Sequence, residues 1–305
     1  MSRITTRTIE ANGLRFALDE AGTGPDVALC LHGFPESRIS WRHQLPRLAN
    51  LGWHAVAPDM RGYGESSRPA RRDAYRIGNL VEDAAALFDA LGARRRLLVG
   101  HDWGALVAWS FAIGRRLPLD GLVVMNVPHP EVYRRVLRSS WRQRARSWYV
   151  AFFQIPGLPE WLLTRNRAGI LASAFTRTAN DARTFPPGIL ERYRANALRP
   201  GAMTAMIDYY RANLRGFGEP DRSPRIAVPV LMVWGEDDVA LDLALTEGYA
   251  AYVSDFTLRR LPGVSHWVQQ EAPEAVNAAL AAWLAGRGLA AEAPGPGDRS
   301  GPVIP

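Results

Sequence analysis

Three residues far apart in the chain have the types and order that covalent hydrolysis needs: Asp102 in LLVGHDWGAL, Asp238 in VLMVWGEDD and His266 in LRRLPGVSHW. Each follows an apolar, strand-like run, so each is expected beside a strand's carboxyl end. Asp102 sits at the centre of G-x-D-x-G, where the commoner elbow motif G-x-S-x-G carries serine. A serine hydroxyl must give a proton to a base before it attacks a carbonyl carbon. An aspartate, with an ordinary pKa of about 3.9, is already ionised at neutral pH and needs no base. Its carboxylate is suited to displacement at saturated carbon, which leaves an alkyl ester whose carbonyl carbon is the aspartate's own Cγ. Water must then attack that carbon, and the water needs a base. Among the six histidines, His32 and His101 abut strand ends, His43 and His54 lie in or beside the first core helix and the next strand, and His129 opens a later segment. Only His266 lies in a loop after both carboxylates. It is therefore the expected base, with Asp238 orienting its imidazole.

Bringing these groups together calls for a sheet. ITTRTIE and LRFALDE alternate in polarity and flank Asn12-Gly13, a strong hairpin signal. Short apolar runs then alternate with helical patterns: DVALCLH before RISWRHQLPRLANLG, HAVAPD before RIGNLVEDAAALFDALG, RRLLVG before ALVAWSFAIGRR, then LDGLVVMNV. Continuous apolar strands alternating with helices imply an α/β fold, with a mostly parallel, doubly wound sheet covered on both faces. The rhythm stops after NVPHP. Residues 129–224 are rich in aromatics, arginine and proline, with helical patterns and no convincing strand, and the strands resume at VPVLMVWGEDD. The expected plan is a core of residues 1–128 and 225–290, a helical cap of 129–224 and a disordered tail of 291–305. Ligands bind beyond the carboxyl ends of such strands, so the insertion would cover the site.

The chain order of nucleophile, acid and histidine is that of the α/β-hydrolase fold. In that fold, the loop after the third strand and the residue after the nucleophile supply backbone N–H groups to an oxyanion hole. Here these are Phe34, in HGFPES, and Trp103. The Phe34–Pro35 bond is a candidate cis peptide.

Composition sets limits. The 305 residues are 47% hydrophobic and 22% charged, as expected of a globular enzyme. The net charge of +7 rests entirely on arginine, with no lysine in the chain. The densest run, Arg134–Arg146, reads as a solvated helix face and not as a polyanion site. The single cysteine, Cys30, excludes an internal disulfide and reads as a core residue. The opening MSRITTRTIE has no apolar stretch like a signal peptide, and no segment approaches the length of a membrane span, so a cytoplasmic, soluble protein is expected. No residue cluster calls for a metal ion or an organic cofactor.

HGFPES, DMRGYGESS, VGHDWG, WGEDD and GVSHW together resemble the soluble epoxide hydrolases of the α/β-hydrolase superfamily, over about residues 5–288. In that family two cap tyrosines hold the epoxide oxygen. SWYVAFFQIPG resembles the first tyrosine segment and places Tyr149 there; MIDYYRAN resembles the second and places Tyr210 there. Adjacent helical residues point about 100° apart, so either Tyr209 or Tyr210 can face the site, and the following Arg211 favours Tyr210. The resemblance implies conversion of an epoxide and water to a vicinal diol, without cofactor, nucleic acid or membrane. Phe34, Trp103, Phe153 and Trp267 are the expected pocket residues; Trp148, Phe152 and Trp161 either join them or pack the cap. DMRGYGESS reads as scaffold. Two alternatives stand beside this. Haloalkane dehalogenases share the tryptophan after the nucleophile, but usually carry asparagine at the position of Phe34; fluoroacetate dehalogenases place His-Trp at Tyr149-Val150 and arginine at Trp103. A ligand-binding protein without turnover is the third reading. Whether the chain is a monomer or a homodimer is open.

Overall fold

A computed structural model describes residues 2–214 and 225–290; residues 215–224 of the expected cap and the expected tail of 291–305 lie outside the described residues. The strands are β1 (Thr5–Ala11), β2 (Leu14–Ala21), β3 (Asp26–Leu31), β4 (His54–Pro58), β5 (Arg95–His101), β6 (Gly121–Met125), β7 (Val230–Gly235) and β8 (Phe256–Leu261). They form one 8-stranded sheet in the order β1-β2-β4-β3-β5-β6-β7-β8. β1 and β2 join antiparallel, and β4, β3 and β5 to β8 run parallel. Asn12 and Gly13 take φ of 49° and 69°, which gives the tight hairpin turn that Asn-Gly favours.

The helices of the core are α1 (Gln44–Asn50), α2 (Ile77–Ala90) and α3 (Trp103–Ile113). Between β6 and β7 come α4 (Pro130–Ser139), α5 (Trp141–Arg146), α6 (Trp148–Phe152), α7 (Leu158–Thr178), α8 (Pro187–Ala197) and α9 (Ala202–Asn213). After β8 come α10 (Val268–Glu271) and α11 (Pro273–Ala285). The continuous apolar strands are explained by their two covered faces. Val27, Leu29 and Leu31 of β3 face one core with Leu98, Leu122 and Val124, whereas Ala28 and Cys30 face the other with Leu97, Val99 and Val123. The first core holds α2 and α3 through Leu87, Phe88 and Phe111; the second holds α1 and α11 through Leu48 and Trp283. Cys30 is thus a packed core thiol, and burial pushes its pKa up, away from reactivity.

Two expectations need correction. RISWRHQLPRLANLG is not one helix: a 3-10 turn at Arg38–Trp41 precedes α1, with buried Ile39 and Trp41 wedged into the core. The arginine run is only partly solvated. Arg134 is buried and paired with Glu131, Arg135 donates to the Glu247 carbonyl at 2.7 Å, and Arg146 donates to the Asp238 carbonyl at 3.0 Å. The run therefore stitches α4 and α5 to the loops after β7. Among the described residues, no helix is long and apolar enough to cross a membrane.

Candidate active site

Asp102 occupies the sharp turn between β5 and α3, with φ 49° and ψ −120°. Such a conformation costs a non-glycine residue about 1–3 kcal/mol and persists only where its surroundings enforce it. The two glycines of the motif make the turn possible by close approach. A Cβ on Gly104 would lie 2.0 Å from the Leu31 carbonyl oxygen, and one on Gly100 would lie 2.4 Å from the Gly104 carbonyl oxygen. Gly33 is equally constrained, since its Cβ would lie 2.3 Å from Asp102 Cβ. That closeness brings the Phe34 N–H to Asp102 Oδ1 at 2.7 Å. Trp103 opens α3, so its N–H lies at the helix's N-terminal end. The Phe34–Pro35 peptide is cis.

His266 lies between the two carboxylates. Its Nδ1 is 2.7 Å from Asp238 Oδ2 and its Nε2 is 3.7 Å from Asp102 Oδ2. Burial disfavours the imidazolium, but the charge of Asp238 and the contact with Asp102 outweigh it and hold the pKa well above the ordinary histidine range. Asp238 is also buried, yet its pKa is lowered. Burial opposes the charge, while His266, the Asn126 amide and the Ala240 N–H stabilise it. The N–H groups of Ala240 and Leu241 reach Oδ1 at 2.8 and 3.0 Å, and Asn126 Nδ2 reaches Oδ2 at 2.8 Å. Asp102 is lowered too: burial raises its pKa, and His266, His101 and the Phe34 N–H together bring it down.

Two participants were not anticipated. Asn126, with φ 47°, ends β6, and its Oδ1 accepts the Gly235 N–H at 2.9 Å while its amide braces Asp238. The one available signal was a polar residue at the carboxyl end of an apolar run. Glu36 is completely buried behind the site and accepts from the Gly33 N–H at 3.1 Å, Gln269 at 2.9 Å and Gln270 at 2.7 Å. Both ring nitrogens of His101 face acceptors, Glu36 Oε2 at 2.7 Å and the His266 carbonyl at 2.9 Å. Burial opposes Glu36's charge, yet His101, His32 and the Gly33 N–H keep its pKa low. This network ties the loop carrying Phe34 to the loop carrying His266.

The helices between β6 and β7 supply another wall. Tyr149, Tyr210, Asp102 and Trp103 line one cavity of about 660 Å³, whose other walls include Leu106, Val127, Leu137 and Leu241. The Tyr149 and Tyr210 rings are 6.0 Å apart, and Tyr210 lies 5.0 Å from Trp103. Burial, reinforced by the nearby carboxylate of Asp102, pushes both phenol pKa values well up, so both hydroxyls stay protonated. Tyr209 points away: its hydroxyl donates to the Arg61 carbonyl at 2.8 Å, among Tyr63 and Tyr75. Arg61 belongs to DMRGYGESS, so that loop anchors α9 to the core.

Of the four expected pocket residues, only Trp103 lines this cavity. Phe34 and Phe153 pack edge-on against Tyr210. Trp267 packs on His266, Phe175 and Phe185, with its indole N–H on Thr178 Oγ1 at 2.8 Å. Each of these aromatics packs on neighbouring rings. Trp148 and Trp161 are exposed, and Phe152 packs against Trp148 and Phe153.

The sheet order, the strained elbow and the order of Asp102, Asp238 and His266 define an α/β hydrolase with aspartate at the tip of its elbow. Residues 27–273 match the family model described as the alpha/beta hydrolase fold. Epoxide hydrolase 4 of Mus musculus is 36% identical over 282 residues, covering 90% of this chain and 78% of its own length. Epoxide hydrolase A of Mycobacterium tuberculosis is 33% identical over 319 residues, covering 94% of this chain and 99% of its own. Among solved structures, the Bacillus megaterium epoxide hydrolase bound to an inhibitor superposes with a TM-score of 0.83 at 29% identity, covering 92% of this chain and 100% of that one. The chain belongs to the epoxide hydrolase family of the α/β-hydrolase superfamily.

Proposed function

We propose that the protein hydrolyses an epoxide to a vicinal diol through a covalent ester on Asp102. The observation that carries this reading is one apolar cavity in which an ionised carboxylate faces two protonated phenols. Asp102 Oδ2 attacks a ring carbon, the carbon–oxygen bond of the ring breaks, and the departing oxygen takes a proton from Tyr149 or Tyr210. Oδ1 becomes the ester's carbonyl oxygen, already held by the Phe34 N–H. Alkylation also removes the charge of Asp102, and with it part of what kept His266 protonated. The imidazolium then releases its Nε2 proton to solvent, to be regained once Asp102 is ionised again, and the neutral imidazole accepts a proton from the attacking water, with Asp238 holding its other nitrogen. Hydroxide adds to Cγ, and the oxyanion forms on Oδ1 against the N–H groups of Phe34 and Trp103. Collapse breaks the Cγ–Oδ2 bond, and His266 returns its proton to Oδ2, which leaves as a diol oxygen. The carboxylic acid left on Asp102 loses its proton, and the tyrosinate regains one. We place Asp102, the Phe34 and Trp103 N–H groups, Asp238 and His266 in the core, and the two tyrosines in a cap of residues 129–224.

The test is a set of aryl and alkyl epoxides with purified protein and no added cofactor. Diol is expected; Asp102→Ala should abolish it, and His266→Gln should accumulate an ester heavier than the protein by the mass of the epoxide. In a single turnover in water labelled with heavy oxygen, the label should enter Asp102 and not the diol. Halide release from haloalkanes with no diol from any epoxide refutes the reading. Normal turnover by His266→Gln refutes the two-step scheme.

A further inference from the structure

Arg211 directly follows Tyr210 on α9, and its guanidinium reaches back to the segment that carries Tyr149. Nε donates to the Phe153 carbonyl at 2.8 Å, and Nη2 donates to the Ile155 carbonyl at 2.8 Å and to Glu160 Oε2 at 3.1 Å. Nη1 bonds Glu160 Oε1, and Asp208, one turn back on α9, stands 3.8 Å from it. The side chain is only 5% exposed. Phe153 and Ile155 lie just beyond α6, where the chain leaves the helix and its carbonyls need partners from elsewhere. The other end of α6 is held independently. There the Tyr133 hydroxyl and the Gln143 amide meet Ser147 Oγ at 3.0 and 3.1 Å. Arg211 is therefore a polar link between the helix of Tyr149 and the helix of Tyr210. Both tyrosine rings also touch Phe153, whose carbonyl Arg211 binds.

We propose that Arg211 is a positioning residue for ring opening: it sets the spacing of the Tyr149 and Tyr210 hydroxyls, and through them the rate of ester formation. The inference rests on the reading of these tyrosines as proton donors to the epoxide oxygen. The planar fork of arginine spans two carbonyls and one carboxylate at once, which the single ammonium of lysine cannot do. The effect is confined to one step. The hydroxyls act when the epoxide oxygen departs, whereas ester hydrolysis uses His266, Asp238 and the N–H groups of Phe34 and Trp103, none of which is among the bonding partners of Arg211 given above.

The test is single-turnover kinetics on Arg211→Met and Arg211→Lys, following ester formation and ester decay separately. Arg211→Lys keeps a cation opposite Glu160 and Asp208, and so preserves a folded protein should the methionine variant fail. Ester formation is expected to fall about tenfold to hundredfold, the penalty of misplacing a reacting group by about 1 Å. Ester decay should stay within about twofold of the wild type, well below that penalty. In a Tyr210→Phe background the Arg211→Lys change should cost markedly less, because the group it positions is gone. Equal slowing of both steps, no slowing of either, or full additivity with Tyr210→Phe overturns the inference while leaving the hydrolase reading intact. A wild-type protein that forms no ester from any epoxide removes that reading, and this inference with it.

Discussion

Replacing Asn126 with alanine should damage the protein more than its size suggests. The side chain makes three buried hydrogen bonds: Nδ2 donates to Asp238 Oδ2 at 2.8 Å and to the Gly235 carbonyl at 3.4 Å, and Oδ1 accepts the Gly235 N–H at 2.9 Å. A hydrogen bond to a charged group is worth about 1.5–3 kcal/mol, and a buried N–H left without a partner costs about 1–3 kcal/mol. Alanine must also hold the φ of 47° that Asn126 adopts, where asparagine is better tolerated, at a further cost of about 1 kcal/mol. With partial compensation, Asn126→Ala should lose about 3–5 kcal/mol, a large share of the roughly 5–15 kcal/mol typical of folded proteins. At about 2 °C per kcal/mol for a large domain, the melting temperature should fall by about 6–10 °C. Urea unfolding monitored by tryptophan fluorescence measures the free energy. Ester decay should slow as well, because Asp238 loses one of the donors that fix it beneath His266. Asn126→Asp makes a sharper comparison: it keeps an acceptor for Gly235 but sets a second carboxylate against Asp238. It should impair ester decay more than alanine does. A loss below about 1 kcal/mol in Asn126→Ala, less than the lower limit of its charged hydrogen bond alone, refutes this account of the site.

Gly33→Ala should leave a folded protein with little ester formation. Its Cβ would fall 2.4 Å from Asp102 Oδ1, forcing apart the nucleophile and the Phe34 N–H, and a loss in kcat of at least about a hundredfold is expected; activity near the wild type refutes the contact. The titration of His266, followed by imidazole NMR, should lie above the ordinary value of about 6.5, because Asp238 and Asp102 outweigh the effect of burial. A raised value means that this pairing stabilises the fold fully below the unfolded histidine's pKa, and that the contribution is lost as pH rises through the folded value. Asp102→Asn removes one of the two carboxylates and should lower the midpoint; an unchanged or higher midpoint contradicts the assignment of charges.

Much of the site was legible because its constraints are local. G-x-D-x-G declares an elbow, since both glycines stand where a Cβ would strike backbone. The apolar strands declare a two-faced sheet, since alternate residues feed two cores. Asn126 and Glu36 were not legible. A single buried asparagine or glutamate looks like any surface polar residue until the chain brings its partners, more than sixty residues away, to its side. The facing of the aromatic residues was not legible for a related reason. The Phe34 N–H meets Asp102, Trp267 packs on His266 and Phe153 packs on Phe34, but position along the chain does not say which face of a ring meets the cavity and which meets another ring.

The sequence by itself determined the chemistry available: an aspartate at the elbow, a later acid, and a histidine placed after both, because residue type and order follow from strand ends and turns. The tertiary structure decided which oxygen of Asp102 the Phe34 N–H holds, which of two adjacent tyrosines meets the cavity, and how a guanidinium spans two cap helices. Those are matters of ångströms and of direction, set by packing between segments that no local pattern connects.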